Sequence, residues 1–288
     1  MANAVVSIEQ NTNNNHLQEM TALLALAHDR DGHIEFDEPL HKYTILGATD
    51  FTSVTTFIGK LFDHFDADAV ISKMMKGKNW AKSKYHGMTA EAIKAQWAAA
   101  GAQAAADGTK MHADIEFFYK FEPFENSSPE FRQFLQFAAQ CPLRPYRSEW
   151  RVYNEDIKIV GTIDMVFEHP DGTVSIYDWK RAKKLDKYDS WGKRAKHPAL
   201  KHIPDTNYWH YALQLNLYQF ILETKYGVKV IDRVLVCCHP DRSEFEAAPV
   251  PNLQHEIGVL LASPEGWADS VMPHDLEPLE EPFLPGHF

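Results

Sequence analysis

The chain has 288 residues, of which 44% are hydrophobic and 24% are charged, a composition typical of a globular protein with a large core. Its net charge of −11 argues against a general nucleic-acid coat protein but still permits a local basic groove. No apolar run approaches the roughly 20 residues that a membrane helix needs, so we expect no membrane partner.

Cysteine usage and the first residues bear on the compartment. The chain has three cysteines, Cys141, Cys237 and Cys238. This odd number and the lack of the regular spacing of a disulfide framework predict a reducing, cytoplasmic setting. Three thiols cannot supply the four thiolates of the usual iron–sulfur site, so no cluster is expected. The start of the chain lacks the basic and long apolar segments of a secretory signal.

The first 140 residues read mainly as helices. Residues 1–16 form an Asn-rich stretch that we expect to be disordered, and a short amphipathic helix should follow over residues 16–29. Alternation then predicts two short strands, His33–Asp37 and His41–Leu46, followed by a helix capped by Thr52 or Ser53. Further helices are expected near 67–76, 89–100 and 102–120, and from Pro129, which suits a first helical turn.

The pattern changes after residue 140. "RPYRSEWRVYN" predicts a strand, and "IKIVGTIDMVFEH" and "TVSIYDWK" predict a hairpin. A loop precedes the helix "NYWHYALQLNLYQFILETKYG", which should end at Gly227. The strand "VIDRVLVCCH" and a helix over "VPNLQHEIGVLLA" complete the pattern. Residues 273–288 form an acidic, Pro-rich arm that could bind a recombination or replication protein. This order predicts an α/β fold around a mixed sheet.

The hairpin carries the first candidate site. Asp178 and Lys180 are two residues apart, so they share one face of a strand. Asp164 lies opposite Asp178 if the hairpin leaves an odd number of residues unpaired or contains a bulge, but a two- or four-residue turn would put them on opposite faces. Two adjacent carboxylates need a cation, and oxygen ligands suit Mg²⁺ or Mn²⁺. A nearby lysine would then favour phosphoryl chemistry. The alternative is a solvated hairpin end.

Two helices and one further strand supply additional candidates. His112 and Glu116 share a helix face, and Glu149 lies on the strand before the hairpin. Gln214 and Tyr218 are also four residues apart, on an otherwise apolar helix. These groups could bind metal or position the lysine. Equally, they could be a helix-surface pair, an exposed strand charge and a polar pair satisfied within the core.

A basic loop follows Lys180. It combines cations with aromatic rings, which neutralise phosphates and stack on bases in nucleic-acid grooves. The predicted nucleic-acid-binding residues are Arg181, Lys183, Lys184, Lys187, Trp191, Lys193, Arg194 and Lys196. Between Lys180 and Lys201 only Asp186 and Asp189 oppose them. A solvated basic loop is the alternative.

Four motifs in order, "GTKMHADIE", "GTIDMV", "YDWK" and "QLNLY", resemble the RecB-like branch of the PD-(D/E)xK nuclease superfamily. That branch includes phage recombination exonucleases, mitochondrial genome maintenance exonucleases and CRISPR-associated adaptation nucleases. The resemblance implies a restriction-endonuclease-like fold, in which helices flank a mixed central β-sheet behind an N-terminal helical region. One nuclease domain would span residues 17–272, with its helical part to about 140 and its catalytic core over about 141–262.

The resemblance also implies roles for the candidate residues. His112, Asp164, Asp178 and the backbone carbonyl of Trp179 would bind one or two Mg²⁺ or Mn²⁺ ions, with Glu116 and Glu149 as further ligands or outer groups. Lys180 would activate the attacking water or stabilise the transition state. Gln214 and Tyr218 would support Lys180 or contact DNA.

The expected function is therefore a metal-dependent DNA exonuclease of replication, recombination or repair, in a host cytoplasm if phage or virus encodes it. No helix with base-reading polar residues is evident, so little sequence specificity is expected. No "GxxxxGK[ST]" phosphate loop occurs, which points to a stand-alone nuclease. The alternatives are a structure-specific or RNA endonuclease on the same fold, a non-catalytic nucleic-acid-binding module, and a structural or interaction protein.

Overall fold

The computed structural model describes residues 28–37, 40 and 42–262. The expected disordered stretch, the amphipathic helix up to residue 27 and the acidic arm lie outside the described residues. Within the described part of the chain, no helix has both the length and the apolar character needed to cross a bilayer.

A small antiparallel hairpin precedes the main sheet. Its strands are β1 (Ile34–Asp37) and β2 (Lys42–Ile45), paired with Ile34 opposite Ile45. This confirms the two predicted strands to within one residue at their described ends. Arg30 and Asp31, just before the hairpin, tie it to the sheet because they form ion pairs with Glu155 and Arg147.

Six strands form the main sheet, in the order β3–β5–β6–β7–β8, with β4 paired to the other edge of β5. The strands are β3 (Thr52–Ser53), β4 (Arg144–Asn154), β5 (Ile159–Glu168), β6 (Val174–Lys180), β7 (Val230–Cys237) and β8 (Glu246–Pro249). The pairs β4–β5, β5–β6 and β7–β8 are antiparallel, whereas β3–β5 and β6–β7 are parallel. The sheet is therefore mixed, as the predicted fold class requires.

Helices cover both faces of this sheet. They are α1 (Val54–Lys60), α2 (Ala67–Met75), α3 (Ala90–Lys120), α4 (Pro129–Gln140), α5 (Asn207–Lys225) and α6 (Gln254–Ala262). On one face Val166 and Ile176 pack with Leu213 and Leu217 of α5. The opposite face buries Met165, Phe167 and Trp179 against Met111, Ile115 and Phe134 of α3 and α4. Alternating strand residues thus enter two separate cores.

The helix ends follow from their capping residues. The Ser53 hydroxyl accepts a hydrogen bond from Thr56 N, so of the two predicted caps it is Ser53 that begins α1. Ser128 caps α4 in the same way and Pro129 occupies its first turn, as predicted.

Four elements differ from the sequence prediction. Thr52 and Ser53, predicted only as helix caps, also form the short strand β3. The two helices expected over 89–100 and 102–120 are one continuous helix, α3, because a glycine such as Gly101 weakens a helix without ending it. Strand β8 was missed since "EAAP" has low strand propensity. Helix α6 begins at Gln254 and not near Val250, because Asn252 Oδ1 accepts from Gln254 N at 2.9 Å and holds a turn there.

The N-terminal half of α3 leaves the sheet and joins α2 in a small separate core. Ile71, Tyr85 and Ile93 are buried there, with Trp97 packed against them. We call residues 67–100 the helical lobe. Only the C-terminal half of α3 contributes residues to the core beneath the sheet.

The continuity of α3 gives a direct test. Gly108 is helical and an added Cβ would meet nothing within 4 Å, so Gly108→Ala should raise the free energy of unfolding by about 0.5–1 kcal/mol. Gly172 also has open space but a φ of +81°, so Gly172→Ala should lower it. Urea unfolding of both variants measures the difference. If Gly108→Ala lowered the free energy of unfolding as much as Gly172→Ala, that result would contradict a continuous helix at Gly108.

Candidate active site

The hairpin β5–β6 sets the alignment of the two aspartates. Glu168 pairs with Val174, so five residues, 169–173, form the loop. This odd number puts Asp164 in the row of Asp178, which is one of the two arrangements that the sequence left open. Regular pairing stops at Met165 and Tyr177. Beyond it, Asp164 Oδ2 accepts a hydrogen bond from Trp179 N at 2.7 Å.

Glu149 joins the same row from the other side. The pairs Ser148–Met165 and Trp150–Ile163 bracket it, so it lies opposite Asp164. Its φ of 46° is left-handed, a conformation that costs a non-glycine residue on the order of 1–3 kcal/mol and is concentrated at functional sites. Three neighbouring strands thus carry one acidic residue each at the same level of the sheet.

Helix α3 brings a histidine to this row. His112 Nδ1 lies 3.5 Å from Asp164 Oδ2. One ligand atom from each of His112, Glu149 and Asp164 falls within 4.8 Å of the others. Imidazole and carboxylate groups at this spacing suit a divalent cation. Glu116, one turn further along α3, forms an ion pair with Lys120 and is not part of this group.

Asp178 and Lys180 form a buried pair beside the cluster. Lys180 Nζ lies 3.0 Å from Asp178 Oδ2 and 4.4 Å from the centre of the Tyr211 ring. Gln214 Nε2 donates to Asp178 Oδ1 at 3.3 Å. Helix α5 therefore reaches the site through Gln214, which touches the aspartate directly.

Burial makes this acidic row unfavourable without a cation. It raises the pKa of Asp178 to about 7, with Lys180 opposing the shift and Asp164 adding to it. Burial also raises the pKa of Glu149 to about 9, and the charges of Asp164 and Glu116 add to the effect. A bound divalent cation would supply the missing positive charge and favour the ionised carboxylates.

Tyr218 of α5 packs closely against Gly161 of β5. Strand β4 covers one edge of β5, so β3 and β6 share the other, where β3 pairs at Ile159 and Val160 and β6 pairs from Met165 onward. Gly161 lies in the interval of β5 between these two paired segments. A Cβ at Gly161 would lie 2.9 Å from Cε1 and Oη of Tyr218. Sequence reasoning named Tyr218 but missed Gly161, although glycine in "GTID" is the signal for such a close approach.

In the basic loop, one predicted binding residue is held by ion pairs and the others are exposed to solvent. Arg181 turns inward to Glu130 at 2.7 Å and Asp107 at 3.1 Å, so two carboxylates already hold it. The predicted residues that remain exposed are Lys183, Lys184, Lys187, Trp191, Lys193, Arg194 and Lys196. Lys183 and Lys184 also form surface ion pairs, with Asp241 and Asp186. Tyr188 is not among the predicted binding residues, yet its side chain is 87% exposed in this loop.

A model of the PD-(D/E)XK nuclease superfamily matches residues 62–271, so the chain belongs to this superfamily. It is therefore a nuclease with a nucleic-acid substrate, and nucleases of this superfamily use divalent metal ions. The matched span includes every candidate site residue described above.

Two solved structures show a distant likeness to the chain. The crystal structure of SSO0001 is 13% identical, with 86% of this chain and 81% of that chain covered and a TM-score of 0.30. That of a protein from Eubacterium rectale, described as "Putative exonuclease", is 13% identical, with coverage of 74% and 77% and a TM-score of 0.33. No curated protein shows significant similarity to the chain.

The raised pKa values predict how metal-free stability depends on pH. The unfolded carboxyls titrate near about 4, below the folded values of about 7 for Asp178 and about 9 for Glu149. Burial of these carboxyls therefore costs no ionisation free energy below pH of about 4, and the free energy of unfolding falls as pH rises from there to the folded pKa values. In EDTA, Glu149→Gln should become increasingly more stable than the wild type between pH 5 and pH 9. Urea unfolding at both pH values tests this, and a constant difference would contradict it.

The Gly161 contact predicts a coupled pair. Gly161→Ala should lower the free energy of unfolding by about 1–3 kcal/mol, because the new methyl group overlaps the Tyr218 ring. In a Tyr218→Phe background one of the two overlapping atoms is gone, so the same change should cost less by about 0.5 kcal/mol or more. A double-mutant cycle by urea unfolding measures the coupling. Additive effects would show that the two residues do not meet.

Proposed function

We propose that the protein is an Mg²⁺- or Mn²⁺-dependent DNA exonuclease of the RecB-like branch, with little sequence specificity. It would act in DNA replication, recombination or repair. The observation that carries the proposal is the row of Glu149, Asp164 and Asp178 on three adjacent strands, with His112 on one side and Lys180 on the other. The family match over residues 62–271 supports one nuclease domain over 17–272.

The acidic row and His112 would hold the metal ion. His112, Glu149 and Asp164 are already grouped, and Asp178 would turn from Lys180 to join them. Trp179 N points at Asp164, and the N–H and C=O of one strand residue face the same way, so the Trp179 carbonyl would face the same gap. When bound, a divalent ion polarises the phosphate and lowers the pKa of a bound water.

Lys180 would act on the reacting phosphate or on the water that attacks it. Its ammonium group lies 3.0 Å from Asp178, so it stands at the edge of the metal cluster where negative charge would develop. An ammonium at that point stabilises a transition state with added charge on the phosphate oxygens. Gln214 would fix Asp178 and Tyr218 would support Gln214, with which it shares a hydrogen bond.

The substrate assignment rests on the charge near the site. The exposed basic loop follows the buried Lys180, and its cations would follow a phosphate backbone while Trp191 stacks on a base. The sequence shows no helix with a set of base-reading polar residues, which supports action without sequence preference.

A cleavage assay tests the proposal. Labelled linear single-stranded DNA, duplex DNA, closed circles and RNA are incubated with Mg²⁺, Mn²⁺ or EDTA. We expect metal-dependent loss of linear DNA that spares circles. Lys180→Ala and the bulkier Lys180→Met should lose activity at least a hundredfold, in line with loss of a general acid–base or charge-stabilising group. Lys229→Ala is the matched control, since Lys229 lies at the opposite end of the parallel pair β6–β7.

The outcomes separate the alternatives. Cutting of circles would identify an endonuclease, and preferred cleavage of RNA would identify a ribonuclease. Full activity of both Lys180 variants would overturn the assigned site. Thermal unfolding of each variant shows whether a loss of activity reflects chemistry or a loss of fold.

A further inference from the structure

The helical lobe carries a second basic segment that the proposed function does not use. Residues 69–90 contain five lysines and no aspartate or glutamate. All five side chains are exposed, and they are Lys73, Lys76, Lys78, Lys82 and Lys84. In a chain of net charge −11 this is a strong local reversal. Lys94, further along the lobe, is neutralised by Asp68 at 2.7 Å and is not part of it.

One contact joins this segment to the basic loop. Lys73 Nζ lies 4.2 Å from the centre of the Trp191 ring. The fold thus brings together two basic segments whose contacting residues, Lys73 and Trp191, are more than a hundred positions apart in the sequence. Like charges placed side by side repel each other, and a bound polyanion relieves that repulsion.

Helix α3 sets the distance between the lobe and the site. Helix α3 connects the lobe to the site, and the 19 steps along it from Ile93 to His112 rise by about 28 Å. The basic loop starts within the site at Lys180 and reaches the lobe at Trp191. Such a surface matches the roughly 4–16 nucleotides that single-strand sites cover.

Exposed aromatic rings favour a single strand over a duplex. Tyr188 is 87% exposed and Trp191 is 67% exposed, so both rings are open to a stacking partner. Unpaired bases stack on such rings, whereas a duplex keeps its base faces covered. We infer that the helical lobe and the basic loop form one binding surface for single-stranded DNA, with Trp191 at their junction as a base-stacking residue. This inference rests on the proposed function and adds the substrate form and the path to the site.

Binding measurements test the lobe separately from cleavage. Anisotropy of a labelled 30-nucleotide oligo(dT) is followed in EDTA at several salt concentrations, using the full chain. Lys76→Ala/Lys78→Ala should weaken binding and make the slope of log K against log salt shallower by about 1.4, since each phosphate contact to single strands adds about 0.7. Lys229→Ala, which lies outside the proposed binding surface, should leave the slope unchanged.

Substitutions of Trp191 test the proposed base stacking separately. Trp191→Ala should weaken oligo(dT) binding by about five- to a hundredfold and Trp191→Phe should restore most of it, whereas binding of a blunt 30-base-pair duplex should change less than twofold. An equal loss on duplex and single strand would overturn the single-strand assignment. Tighter binding of oligo(rU) would identify RNA as the occupant and overturn the DNA version.

The results distinguish the inference from the proposed function. Suppose that the wild type cleaves and binds DNA, and that the lobe variant shows the same slope of log K against log salt as the wild type. The inference would then be overturned, whereas the nuclease proposal would stand. A wild-type protein that binds neither strand form would overturn both.

Discussion

Strand register is the constraint on which the candidate site depends. Each strand residue faces one side of the sheet or the other, so a shift of one residue would separate Asp164 from Asp178. The five-residue loop between β5 and β6 and the pairing of β4 with β5 together bring Glu149, Asp164 and Asp178 to one level. Like charges at that level are unfavourable, and the same alignment that makes them repel is what makes the row attractive to a cation.

The packing around the sheet keeps this alignment in place while leaving the site open at one edge. Two apolar cores on opposite faces fix the strands, and α3 and α5 bring His112 and Gln214 to the acidic row from those two faces. Regular pairing between β5 and β6 ends just before the aspartates. The carboxylate of Asp164 can therefore take over the Trp179 N–H that a neighbouring strand would otherwise bind.

The sequence predicted those parts of the structure that depend on local patterns. Alternation located β4, β5 and β6, helical spacing located α5, and the order of motifs indicated the nuclease superfamily. Features that depend on contacts distant in the sequence were not predictable. The hairpin register was open because loop length could not be read from "HPDG", α3 was divided because glycine lowers helix propensity without ending a helix, and the inward turn of Arg181 depends on Asp107 and Glu130.

The left-handed backbone of Glu149 has a consequence for how this protein could change over time. A glycine there would relax the strand at once, but the carboxylate of the row would be lost with it. At this position the residue that best suits the backbone therefore differs from the residue that the proposed metal site uses. Selection for thermal stability alone, in the laboratory or in nature, would favour glycine at this position and a more stable but inactive protein. Selection for the proposed reaction would favour glutamate.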